Sequence, residues 1–250
     1  MQPESPAQKP RRYRHLVRCI LVVVIAMVGW YSWKGYDFGR ATRQAQSLGW
    51  KVTYNDPFAK IRKDWKSAIR KETWRDTGRW VFLTNCDQLA AHVDVLRRLK
   101  PTLVVIDATI PPSNLSALKE LRDPFNLSLR NATTLPNMDA LNDIKALNLL
   151  AITNSPNVKN LDALKDLTGL TSLSLTYCNG LTDVDALQEL KGLKNLYFYG
   201  CSRLRNFDGI VGLPALEAVS ISRCGGLEKG AVDALRVALP RTKISSPDAK

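Results

Sequence analysis

Cys178, Cys201 and Cys224 stand 23 residues apart, and Cys86 falls in the same register, four periods before Cys178. A fixed spacing of that size marks a chain built by stacking copies of one supersecondary unit, which removes most ordinary globular folds from consideration. Aligning the chain on this period exposes further columns. Leu147, Leu170, Leu193 and Leu216 share one, and Leu127, Leu150, Leu173, Leu196 and Val219 share a second. Leu129, Ile152, Leu175, Phe198 and Ile221 form a third, two residues further on. Extended backwards, the columns reach Val104 with Ile106 and Val81 with Leu83, so seven units begin near residues 78, 101, 124, 147, 170, 193 and 216.

The first half of each unit, such as Leu173-Ser174-Leu175, alternates apolar and polar residues, as a strand with one buried face does. The second half changes period. Leu161, Leu164 and Leu167 recur every three residues, matched by Val184, Leu187 and Leu190 and by Met138, Leu141 and Ile144, a helical or 3₁₀ spacing. Asp139, Asp162, Asp185 and Asp208 precede these segments, where a carboxylate is expected to accept the free N–H groups of a helix start.

The pattern L-x-x-L-x-L-x-x-C-x-x-L followed by V-D-A-L-x-E-L resembles the leucine-rich repeat family in its cysteine-containing variety, over residues 78 to 246. The resemblance implies an α/β solenoid: a concave parallel sheet, short convex helices and a protein-binding role. The pattern breaks at His92, which stands in a leucine column, at Pro112, and after Gly230. Lys229 to Leu239 reads as a longer terminal helix capping the stack, so the solenoid is assigned to residues 78–250 with its cap from about 229.

The cysteine column Cys86, Cys178, Cys201 and Cys224 also holds Thr109, Ala132 and Ser155 in other units. The position therefore asks for a small, weakly polar side chain, and a buried thiol donating to backbone carbonyls is expected rather than a metal site. A disulfide between neighbouring units is the alternative, since adjacent strands lie about 4.8 Å apart.

Ahead of the repeats, residues 1–15 form a basic tail, and residues 16–33 run through CILVVVIAMVGWYSW to an aromatic cluster at Trp30, Tyr31 and Trp33. Length and flanking charge predict an uncleaved transmembrane signal anchor, placing the N-terminus in the cytoplasm and the repeats beyond the membrane. A cleaved signal peptide, leaving a secreted module, is the rival. Residues 1–75 carry 16 Lys and Arg against 5 Asp and Glu, whereas residues 76–250 carry 20 against 18. The basic character thus belongs to the membrane-proximal third, and nucleic-acid binding loses its support.

Residues 34–77 read as a juxtamembrane linker and cap. Phe38, Ala41, Ala45 and Leu48 predict a helix stopping at Gly49, and Trp50 to Tyr54 predict a short strand. From Asp56-Pro57 a basic helix with the stripe Ile61, Trp65, Ala68 and Ile69 either covers the first repeat's open edge or lies on anionic headgroups. The short element LGWKVTYN is similar to one in small bacterial leucine-rich repeat proteins of this layout, which implies a bacterial inner membrane with a periplasmic repeat domain.

Residues alternating with the core columns face the other side of the sheet. Among them Asp107, Arg130, Asn195, Tyr197 and Tyr199 are the expected partner-binding patch, because tyrosine and arginine dominate interface anchors. A glycan-binding or envelope-structural role is the alternative. The chain lacks G-x-S-x-G, H-E-x-x-H and phosphate-loop motifs, and its two histidines are His15 in the tail and His92 in a repeat column. Catalysis, cofactors and metals are therefore not expected.

Overall fold

Nine strands in chain order make one sheet in the computed structural model, which describes residues 37–54, 79–83, 89–107, 115–132 and 138–246. The strands are β1 Lys51–Tyr54, β2 Arg79–Leu83, β3 Leu103–Asp107, β4 Phe125–Arg130, β5 Leu147–Thr153, β6 Ser172–Thr176, β7 Asn195–Tyr199, β8 Ala218–Ser222 and β9 Lys243–Ser245. Every pairing from β2 onward is parallel, and from β2 to β8 the partners are 23 residues apart, as in Leu173 with Leu196, except Phe125 with Leu147 at a register shift in β4. The crossovers between β3 and β8 return behind the sheet through 3₁₀ turns, such as Asp139–Leu141, Asp162–Leu164, Asp185–Glu189 or Asp208–Ile210, whereas the first and last parallel crossovers carry the α-helices Val93–Leu99 and Ala231–Ala238. The three-residue spacing of the leucines matches the 3.0 residues per turn of that helix.

The core is the slab between sheet and returns. The columns through Leu173 and Leu175 are buried from β2 to β8, and so are Leu141, Leu164, Leu187 and Ile210 from the returns. Each fully buried leucine contributes about 1.5–3 kcal/mol of transfer free energy, so repetition of one column supplies the driving force unit by unit.

Asp162, Asp185 and Asp208 stand in the first turn of these returns, one place after the apolar residues Leu161, Val184 and Phe207. Their own N–H groups donate to the side-chain oxygens of Asn160, Asp183 and Asn206, at 3.4–3.5 Å. A short Asx side chain reaches the N–H two residues on. His92 is not a core residue. It ends a 3₁₀ turn half-buried, while Leu89, Val95, Leu96 and Leu99 fill the core there.

The two ends of the stack are closed differently. A helix over residues 37–47 buries Ala41 and Ala45, stops at Gly49 with φ +77°, and leads into β1, which pairs antiparallel with β2. The edge of the first repeat strand is thus paired with β1. The helix expected beyond Asp56 lies outside the described residues, as do residues 1–36 and Pro112. Arg98 of the helix Val93–Leu99 donates to Gln44 at 2.6 Å, and Arg79 donates to the Leu99 carbonyl at 2.8 Å. At the other end the helix Ala231–Ala238 buries Val232 and Leu235. It lengthens the last crossover, so Ala218 pairs with Lys243 rather than with a residue 23 further on, and β9 extends the sheet unannounced by the repeat pattern.

Among the described residues no helix is long and apolar enough to cross a membrane. The segment 16–33 lies outside them.

Candidate functional site

Three rows of side chains cross the sheet face turned away from the leucine columns. One runs Trp80, Leu103, Asn126, Leu149, Ser172, Asn195 and Ala218. The middle row is Phe82, Val105, Ser128, Ala151, Ser174, Tyr197 and Ser220, and the last begins at Asp107 with Arg130 and ends in Tyr199 and Ser222. Although its alternation places it on this face, Val105 is only 3% exposed, so the face is not uniformly open at β3.

The register divides the expected patch. Asp107 and Arg130 are direct partners on β3 and β4, whereas Asn195, Tyr197 and Tyr199 share β7. Three strand spacings, about 14 Å, separate Arg130 from Tyr199. Between them lie small residues, including Ala151, Ser174, Thr153 and Thr176.

On β7 the geometry is built around rings. Tyr197 is 44% exposed and stands between the small register neighbours Ser174 and Ser220. Tyr199 meets Tyr177 edge to face with centroids 5.3 Å apart, and the Arg223 guanidinium lies over Tyr199 at 5.4 Å from the centroid. Such ring pairs add about 0.5–1.5 kcal/mol beyond their buried area, and they order the side chains. Tyr177 and Arg223 escape a reading of strand alternation because they follow their strands. Both hold a left-handed backbone, φ +53°, in a column with Asn131, Asn154 and Gly200. The signal was that asparagine and glycine, the residues that best tolerate this conformation, recur at that position.

Directly beneath this column lie the thiols. Cys178, Cys201 and Cys224 are buried and free, and their sulfurs donate to backbone carbonyls: Cys178 to Ile152 at 3.8 Å, Cys201 to Leu175 at 3.5 Å and Cys224 to Ser222 at 3.4 Å. Ser155, in the same column, donates to the Thr153 carbonyl at 3.3 Å. Cys86 and Thr109 lie outside the described residues. Interaction with the neighbouring Cys178 thiol pushes Cys201 up to about 11, burial adding to the effect, while the same interaction holds Cys178 below the ordinary thiol value. Cys224 is pushed up by Cys201 and by burial. Raised thiols at the centre of the stack are protonated at neutral pH and poor nucleophiles. Among the described residues no three His, Cys, Asp or Glu side chains converge on a point that could hold a metal ion.

Parallel strands in register, 3₁₀ returns and buried leucine columns define a solenoid of stacked 23-residue repeats. Among solved structures, the leucine-rich repeat domain of the type III effector XCV3220 (XopL) is similar at 20% sequence identity with a TM-score of 0.43, over 61% of this chain and 63% of that one. The match therefore spans less than two thirds of that chain's length. No protein-family model matches the sequence. No curated protein matches it either.

Proposed function

We propose that this chain is a non-catalytic binding module that holds a protein partner on the open face of its repeat sheet, with Tyr197 and Tyr199 as anchors. The observation that carries the reading is the β7 arrangement: a 44% exposed tyrosine flanked by two serines, beside a tyrosine already ordered by a second ring and a guanidinium. Exposed aromatics on a rigid scaffold bind with little loss of side-chain entropy, which is why tyrosine and arginine dominate hot spots. In the same reading residues 16–33 anchor the chain in a bacterial inner membrane, N-terminus in the cytoplasm, with the repeats in the periplasm.

The test is a photo-crosslinking amino acid placed at Tyr197 in the full chain, expressed in its own cells. A protein adduct that disappears when Tyr199→Ala is added supports the reading. Adducts to polysaccharide alone would transfer the face to glycan binding, which the neighbouring serine and threonine rows also suit. The intact mass of the purified protein tests the anchor, because a product lacking the first 30 or so residues would rule it out.

A further inference from the structure

The residue after each strand from β4 to β8 occupies the left-handed region: Asn131, Asn154, Tyr177, Gly200 and Arg223, with φ from +53° to +66°. The N–H of each of the first four donates to the carbonyl ending the next strand, at 2.8–2.9 Å, so the strand ends form a continuous hydrogen-bonded edge. Along it, residues 130–132, 153–157, 176–180, 199–203 and 222–226 contain three charged side chains, Arg130, Arg203 and Arg223, all exposed. The recurring carboxylates Asp139, Asp162, Asp185 and Asp208 fall in the 3₁₀ returns instead. One strand earlier the edge carries Asp107, so the basic stretch ends at β4.

We propose that this edge recognises an acidic polypeptide segment. Its carboxylates pair with Arg223 and Arg203 at one end and Arg130 at the other, and the apolar side chains between them rest on Tyr177 and Tyr199. The inference rests on the proposed function and names the chemistry of its partner. Arg223 is held over the Tyr199 ring, and Tyr177 braces that ring edge-on, so the end of the site is ordered in the free protein. The guanidinium fork matches a carboxylate bidentately. Four strand spacings of about 4.8 Å separate Arg130 from Arg223, roughly 19 Å, which an extended chain spans in about six residues. Three cations spread over that distance with tyrosines between them suit spaced carboxylates. Anionic membrane surfaces, in contrast, are read by clusters of about four to eight basic residues.

The test is selection of a displayed random dodecapeptide library on the purified full chain in detergent micelles, followed by affinity measurement on synthesised winners. The expected winners carry two carboxylates about six residues apart with an aromatic or aliphatic residue between them. Their affinity falls about tenfold in Arg223→Gln and in Arg203→Gln, and it weakens between 50 and 300 mM salt, screening acting on exposed pairs. Neutral or basic winners indifferent to both arginine variants but lost in Tyr197→Ala would overturn the acidic segment while leaving the open face as the binding surface. No winners, with or without capture of phosphatidylglycerol vesicles, also overturns it, the vesicle result reassigning the edge to lipid. The crosslink from Tyr197 reports separately on the proposed function.

Discussion

Strand β7 carries aromatic rings on both of its faces, and the two faces do different things with them. Phe198 points into the slab at 2% exposure and lies against Phe207 of the adjoining return, centroids 5.5 Å apart. Tyr197, one residue away, stands 44% exposed over serines. Transfer from water stabilises the fold through Phe198 by several kcal/mol, about 3–5 kcal/mol when the cavity left by its removal is included. Tyr197 keeps 44% of its surface open to solvent, so the fold gains less from it than from Phe198. The same division runs along the sheet: leucine columns hold the stack, and the opposite rows are free to vary in chemistry from apolar at β2 and β3 to hydroxylic and aromatic at β6 to β8.

That contrast is broken most forcefully from inside. Phe198→Ala is expected to lower unfolding free energy by about 3–5 kcal/mol, read as a shift in the urea midpoint, because the stacked units on either side leave little room for collapse into the cavity. A loss below about 1 kcal/mol would mean that the inner face is far looser than its burial indicates.

The edge between the two faces comes next. Gly200 sits at φ +66°, and a Cβ there would lie 2.6 Å from Cδ1 of Tyr177. Gly200→Ala is therefore expected to cost about 1–2 kcal/mol from the left-handed backbone, plus the displacement of the Tyr177 ring. In a Tyr177→Ala background only the backbone part remains. A double-mutant cycle showing no coupling would break the claim that the ring is packed over the glycine.

Smaller again is the effect of pH on the thiol stack beneath that edge. Cys201 titrates near 9.0 when unfolded and at about 11 when folded. The folded state thus holds the proton more tightly, and the stabilisation is fully present below pH 9 and lost as pH rises through 11. The raised Cys224 adds to this loss and the lowered Cys178 works against it. Urea midpoints from pH 8 to 11 should fall more steeply in the wild type than in Cys201→Ser. Parallel curves would remove the stack from the pH response.

How far these features were legible in the chain follows from their range. Strand position, register and the 3₁₀ returns are written every 23 residues, because each unit meets the same neighbour and the same requirement recurs. The ends are not repeated. β9 depends on how many residues the helix Ala231–Ala238 takes up before the chain returns, and little besides Ile244 announces it. Tyr177 and Arg223 were hidden for a different reason. Period-two alternation sorts residues within a strand, whereas these two are aimed by the left-handed turn after it. The grouping of Arg130 with Tyr197 and Tyr199 followed residue type, and the intervening strands β5 and β6 separate them.

The smallest expected stability change is the most informative about function. Tyr197→Ala should lower unfolding free energy by about 1 kcal/mol, well short of the Phe198→Ala loss, since the ring keeps 44% of its surface open to solvent over small neighbours. Its effect on partner binding should exceed about 2 kcal/mol if the ring is an anchor, roughly a thirtyfold loss of affinity. Measured together, the two numbers separate the faces. A residue that matters more for binding than for folding belongs to the surface's purpose, whereas equal losses in both would show that Tyr197 acts by holding β7 in place. Small losses in both would move the anchor along the edge, to Tyr177, Tyr199 and Arg223, where the rings and the guanidinium are already ordered against one another.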